Sequence, residues 1–198
     1  VKLSAKCEVR GARLRKYRQP TIICISRLVS YKRVGDLILA VYLLKQKIPD
    51  IRLLIVGEGE RKRNLRLQVT SYKLQKNVEF LGQVNEEKQW ELLARSHIHV
   101  LPSVVEGFGL VSIESLSVGT PVVNADIAVN KEVLQGETGG LLYRARDYMD
   151  LTEKIEMLLT NEKLYNQKVR EGLELKKNYD WEKVNWETEE FYQCLLSD

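Results

Sequence analysis

The chain has 198 residues, 44% of them hydrophobic and 29% charged, with 12 Gly, 4 Pro and a formal net charge of +4. This is length and apolar content for one domain with a real core, which excludes a disordered chain and a collagen-like or linker composition. No window approaches the roughly 20 uninterrupted apolar residues of a membrane span, and the first twenty residues lack the apolar block of a secretory signal.

In chain order, residues 1–19 read as a basic linker. Residues 1–20 carry seven Lys or Arg against Glu8 alone, whereas residues 180–198 carry six acids against Lys183. A basic head and an acidic tail invite a nucleic-acid reading. Only Tyr17 interleaves the basic residues and no nucleic-acid motif follows, so a solvated connection is the better reading and no nucleic-acid partner is expected. Cys7, Cys24 and Cys194 are scattered without metal or redox spacing, which points to a reduced, cytoplasmic setting. Cys24, inside TIICIS, reads as a small buried apolar residue.

From residue 20 short apolar runs alternate with helical stretches. Strands are expected at 21–26, 51–56, 77–82, 97–101, 120–124 and 139–143, as near-continuous Ile/Val/Leu runs of the kind buried on both faces of a parallel sheet. Helical periodicity covers 34–47, 61–75, 85–95 and 110–118. The repeat of strand and helix predicts a Rossmann-like, doubly wound α/β sheet of about six strands. After residue 146 the pattern becomes all-helical, with two amphipathic helices and a third from Trp181 to Leu196. The expected domain is therefore 20–180, with 181–198 as a C-terminal helix.

Ligands of open parallel sheets bind beyond the carboxyl ends of the strands, so the loops there hold the candidates. After the first strand, SRLVSYKRVGD places Arg27 and Lys32 around a turn into a helix, where two cations and free N–H groups can hold a diphosphate. After the second, VGEGERKR has Gly57 and Gly59 but Lys62 where a dinucleotide fingerprint needs a third Gly. After the fourth, PSVVEGFGLVSIESLSVGTPVV sets Glu106 in a loop and Glu114 about one turn into a helix that starts near Gly109 or Leu110. Such a helix start suits a phosphate, and a carboxylate on either side can accept from the hydroxyls of a ribose or a hexose. His97 and His99 alternate on one strand, but no third ligand is spaced to join them. They read as buried histidines, and Trp181 and Trp186 as packing anchors.

The segment from Pro102 to Val123 resembles the Glu-x7-Glu motif of family-four retaining glycosyltransferases, which have the GT-B fold of two Rossmann-like domains. SRLVSYK, LLIVGEGE, the run from Asn77 to Ser103, GETGGLLY and YDWEKV follow in the family's order, so the resemblance covers residues 20–196. It implies the donor-binding half of an enzyme that transfers a hexosyl group, of mannose or glucose type, from a UDP-, GDP- or ADP-linked sugar. That sugar nucleotide is a substrate, and no cofactor is implied. Arg27 and Lys32 would bind the distal phosphate and Glu106 the donor sugar's hydroxyls. The backbone of Phe108, Gly109 and Leu110 would touch sugar and phosphate, and Glu114 would take the ribose. Gly57, Gly82 and Val84 would line the nucleotide side.

By the same resemblance, residues 1–19 would be the remnant of an interdomain connection, and 181–198 would cross back toward an N-terminal acceptor-binding domain absent from these residues. The isolated domain would then be inactive. A membrane-associated acceptor reached through that domain, with the full-length enzyme peripheral at the inner membrane surface, is compatible with this. No Asp-x-Asp pair exists, so no metal is expected. The sequence departs from the family at Ser26 and Arg33, each where Gly is usual, at Glu60 for Pro, at Ser115 for Ala, and in a missing Gly-Gly pair within 124–130, though Glu132 is kept. A non-catalytic nucleotide-binding or interaction module and a sugar-nucleotide epimerase of the same fold remain alternatives.

Overall fold

The computed structural model describes residues 6–9, 12–179, 189 and 192. Six parallel strands form the sheet: β3 (Thr21–Ile25), β4 (Arg52–Val56), β5 (Val78–Gly82), β6 (Ile98–Leu101), β7 (Val122–Ala125) and β8 (Gly140–Tyr143). Their spatial order is β5-β4-β3-β6-β7-β8, and every pairing is parallel. The chain winds outward in one direction from β3 and then returns to its other side at β6. The loops after β3 and β6 therefore diverge and leave a crevice at this switch point.

The helices are α1 (Val34–Leu44), α2 (Lys62–Ser71), α3 (Glu86–Arg95), α4 (Leu110–Ser117), α5 (Ala128–Val133), α6 (Tyr148–Thr160) and α7 (Glu162–Leu175). The strands are mostly apolar at successive positions because both faces are covered. Ile22, Cys24, Leu53, Ile55 and Val100 point into one layer with α1 and α6. Ile23, Ile25, Leu54 and Val56 point into the other, against Leu92 and Leu93 of α3. Successive strand residues thus serve opposite cores, each buried Leu or Ile contributing roughly 1.5–3 kcal/mol. Helix starts are fixed locally: Asn85 accepts from the Lys88 N–H, Asp147 from those of Met149 and Asp150, and Asn161 from that of Leu164.

Two elements escaped the sequence reading. The stretch read as a basic connection carries an antiparallel hairpin, β1 (Lys6–Val9) with β2 (Ala12–Arg15), laid against α3. Its KCEV and ARLR do alternate polar with apolar residues, a period-two signal that the excess of positive charge obscured. The Lys16 ammonium that follows donates to the Ser96 carbonyl and the Thr120 hydroxyl, both at 2.6 Å. The short α5 had no counterpart among the expected helices. The expected helix at 181–196, with Trp181 and Trp186, lies outside the described residues. Among the described residues no helix is long and apolar enough to cross a membrane.

Candidate donor site

Four loops at the carboxyl ends of β3, β4, β5 and β6 meet around an open cleft of about 530 Å³. The first two are joined by backbone: Ser26 N–H donates to the Val56 carbonyl at 3.0 Å, Leu28 N–H to Glu58 at 2.8 Å, and Arg61 N–H to Leu28 at 2.9 Å. Gly57 has a φ of +127°, and a methyl placed on it would stand 2.0 Å from the Ser26 carbonyl oxygen. Its glycine is thus demanded by this close approach as well as by the turn. The Gly57 N–H in turn donates to the Gly82 carbonyl at 2.7 Å, which ties the ends of β4 and β5 together.

The β3–α1 loop makes one 3-10 turn over Ser30–Lys32 and then passes through Arg33 at φ 52°, ψ 26°. This left-handed residue stands where the resemblance has glycine, so the backbone shape is kept although the side chain is not. The conformation costs a non-glycine residue about 1 kcal/mol, offset by a two-pronged pair in which the Arg33 guanidinium donates to both Asp36 oxygens at 2.8 and 2.9 Å. The turn aims Lys32 across the cleft, where its Nζ donates to Glu106 Oε1 at 2.5 Å. Their side chains are only 13% and 9% exposed. Arg27 stays exposed and donates to the Tyr31 hydroxyl at 2.5 Å, while the Tyr31 carbonyl accepts from the Val104 N–H at 3.0 Å.

Gly109, at φ +79°, opens α4, whose leading N–H groups have no intrahelical acceptor and whose first turn carries no acid. The Phe108 ring, 41% exposed, meets Tyr179 edge-on with centroids 5.7 Å apart. Tyr179 is itself held by donation from its hydroxyl to the Val133 carbonyl at 2.9 Å. Behind α4, Asn124 donates to the Ser112 hydroxyl and Asn130 to the Ala125 carbonyl, so buried amides occupy the loop where the family's Gly-Gly pair is missing.

Of the residues expected at the site, Arg27, Lys32, Gly57, Val84, Glu106, Phe108, Gly109 and Leu110 line this one cleft. Gly82 stands behind it through its bond to Gly57. Glu114 is half-buried beside it, and burial raises its carboxyl above the usual range against the opposing bond from Gln89, with Glu86 adding to the rise. The reading by motif missed Gln89, which lines the cleft and donates to Glu114 Oε2 at 2.8 Å. Its only signal was a place three residues into the helix that follows the third sheet strand. His97 and His99 are buried, pushed down to about 4 and about 3 by loss of solvent, and His97 Nδ1 accepts from the Thr21 N–H at 3.0 Å. Among the described residues, no three His, Cys, Asp or Glu side chains group as a metal site.

A doubly wound parallel sheet whose switch point carries such a cleft is the Rossmann-like domain of GT-B glycosyltransferases. The chain belongs to the family described as glycosyl transferases group 1, whose sequence profile matches residues 7–174. It is 30% identical over 181 residues to the phosphatidylinositol N-acetylglucosaminyltransferase gpi3 subunit of Schizosaccharomyces pombe, covering 90% of this chain and 39% of that protein. It is 32% identical over 149 residues to the phosphatidyl-myo-inositol mannosyltransferase of Mycobacterium leprae, covering 75% and 39%. Among solved structures, sucrose-phosphate synthase from Thermosynechococcus elongatus superposes with a TM-score of 0.80 at 26% identity, over 91% of this chain and 46% of that one. The Anabaena protein HepE, solved with UDP-glucose, has the same fold at 23% identity, with a TM-score of 0.81 over 89% of this chain and 49% of that one. The chain spans less than half the length of these relatives.

Proposed function

We propose that the chain is the donor-binding half of a retaining hexosyltransferase, and that the cleft holds a nucleotide diphosphate sugar. One observation carries this reading. Two cations, a carboxylate and a helix N-terminus, drawn from two loops far apart in sequence, converge at the switch point in a chain of this family. Arg27 and Lys32 bind the distal phosphate, and Glu106 accepts from hydroxyls of the donor sugar. The N–H groups opening α4 meet sugar and phosphate, and Glu114 accepts from the ribose. Gly57, Gly82 and Val84 form the nucleotide wall.

On transfer, the bond from the anomeric carbon to the diphosphate breaks and its electron pair passes to the leaving oxygen. Arg27 and Lys32 face the charge that grows there, in a partly water-excluded cleft where fixed cations act most strongly. The acceptor oxygen bonds to the anomeric carbon on the same face, and its proton goes to the departing phosphate oxygen. The side chains of this domain thus orient and stabilise, and none serves as the general base. The acceptor is bound by another domain, so these residues alone bind donor and transfer little.

Calorimetric titration with UDP, GDP and ADP tests the reading. Heat is expected with at least one of them, and the affinity is expected to fall about tenfold in Glu114→Ala. Silence with all three at millimolar ligand overturns the donor site, and an unchanged affinity in Glu114→Ala favours an interaction module that keeps the motif without using it.

A further inference from the structure

We infer that Gln89 is the positioning residue for ribose recognition, acting through Glu114. The inference rests on the proposed donor site and extends it to a residue of a different loop and helix. Glu114 projects from the second turn of α4, half-buried, and Gln89 is the one side chain among the described residues that donates to its carboxylate. Gln89 stands in the first turn of α3, where its N–H is bonded to Asn85 at 3.0 Å and the Asn85 side chain caps the helix. Its backbone is therefore fixed before its carboxamide reaches across. That carboxamide occupies Glu114 Oε2 and lines the cleft on the same side as Val84.

The geometry has a chemical consequence. A carboxylate has four acceptor positions, and a free one in a roomy site can rotate so that either oxygen meets either ribose hydroxyl. With Oε2 bound by Gln89 the plane of the Glu114 carboxylate is set, and Oε1 is left for the ligand. A vicinal pair of hydroxyls then meets an acceptor of fixed direction, which rewards the presence of both. The bond from Gln89 also opposes the rise that burial imposes on the half-buried Glu114 carboxyl. Replacing the donor by an acceptor would set two acceptors face to face. Neither effect touches the diphosphate or the base, so the signature is a loss of discrimination at the sugar of the nucleotide.

The test compares UDP with 2′-deoxy-UDP on the full chain, by calorimetry, in wild type, Gln89→Ala, Gln89→Glu and Glu114→Ala, with thermal melts to confirm folding. If the wild type prefers guanosine or adenosine, the corresponding ribo and deoxy pair is used. A hydrogen bond to a charged group corresponds to about tenfold in affinity, so the wild type is expected to prefer the ribonucleotide by about that factor. Both Gln89 variants are expected to bring the ratio near one, as does Glu114→Ala, and adding Gln89→Ala to Glu114→Ala is expected to change it no further. A wild-type preference that survives in Gln89→Ala overturns this inference alone. Should Gln89→Ala fail to fold, survival of the preference in Gln89→Glu decides in the same way. A wild-type ratio of one overturns the ribose role of Glu114 and this inference with it. Failure to bind any nucleoside diphosphate overturns the donor site itself.

Discussion

The two walls of the cleft are built by different physics. On the β3–β4 side the loops are joined main chain to main chain, with Gly57 and Gly59 in contact with the Ser26 and Leu28 carbonyls. On the β6–α4 side the loop from Pro102 to Gly109 is attached mostly through side chains, by Lys32 with Glu106 and by Phe108 with Tyr179. Val105 is 60% exposed there, and a methyl on Gly107 would meet nothing within 4 Å. Backbone joints tolerate no added volume, whereas side-chain attachments can be exchanged for a ligand. The rigid wall therefore holds Gly57 and the start of the β3–α1 loop in place, and the adjustable wall carries Glu106.

The contrast is broken most sharply at Gly57. Gly57→Ala puts a methyl into the Ser26 carbonyl at a φ unfavourable to alanine, and a loss of about 4 kcal/mol is expected. In a chain of this length that lowers the melting temperature by about 8–16 °C. A drop below about 2 °C would show that this wall yields after all. At Lys32 the expected effect falls on ligand as well as on fold, because the Glu106 carboxylate, 9% exposed, loses its cation. Lys32→Ala should weaken UDP about ten- to a hundredfold through loss of a charge-assisted bond, while UMP, which lacks the distal phosphate, changes little. Equal losses for the two nucleotides would remove Lys32 from the distal phosphate. The smallest effect is expected at Gly107, where Gly107→Ala should stay within about 0.5 kcal/mol and leave UDP affinity unchanged. A larger destabilisation there would mean that the second wall is as tightly packed as the first.

Much of this arrangement could be read from residues alone, for a physical reason. TIICIS, IRLLIV and HIHVL are mostly apolar, at successive positions and not only alternate ones, because both sheet faces are covered, and that pattern locates the strands and hence the loops that matter. Every residue singled out for the site either lines the cleft or touches a residue that does. What could not be read depends on through-space partners. The Lys32–Glu106 pair joins positions 74 residues apart, and Gln89 meets Glu114 across 25. Arg33 was legible only as a departure, because sequence names the side chain and not the left-handed backbone it adopts. The β1–β2 hairpin was hidden by its charge, since its ladder is satisfied by four residues a side and needs no long apolar run.

The Lys32–Glu106 pair has a consequence for which ligands are admitted. An empty cleft whose cation and anion already satisfy each other presents little net field to a passing ion. A bare phosphate that takes Lys32 strands Glu106, and a neutral sugar that takes Glu106 strands Lys32, each at the cost of an unpaired, largely buried charge. Only a molecule that offers an anion and a hydroxyl together, at the spacing of the two side chains, restores both. On the proposed donor reading, the closed pair would favour the whole sugar nucleotide over its nucleoside diphosphate, which binds more weakly because it takes Lys32 and leaves Glu106 without a partner.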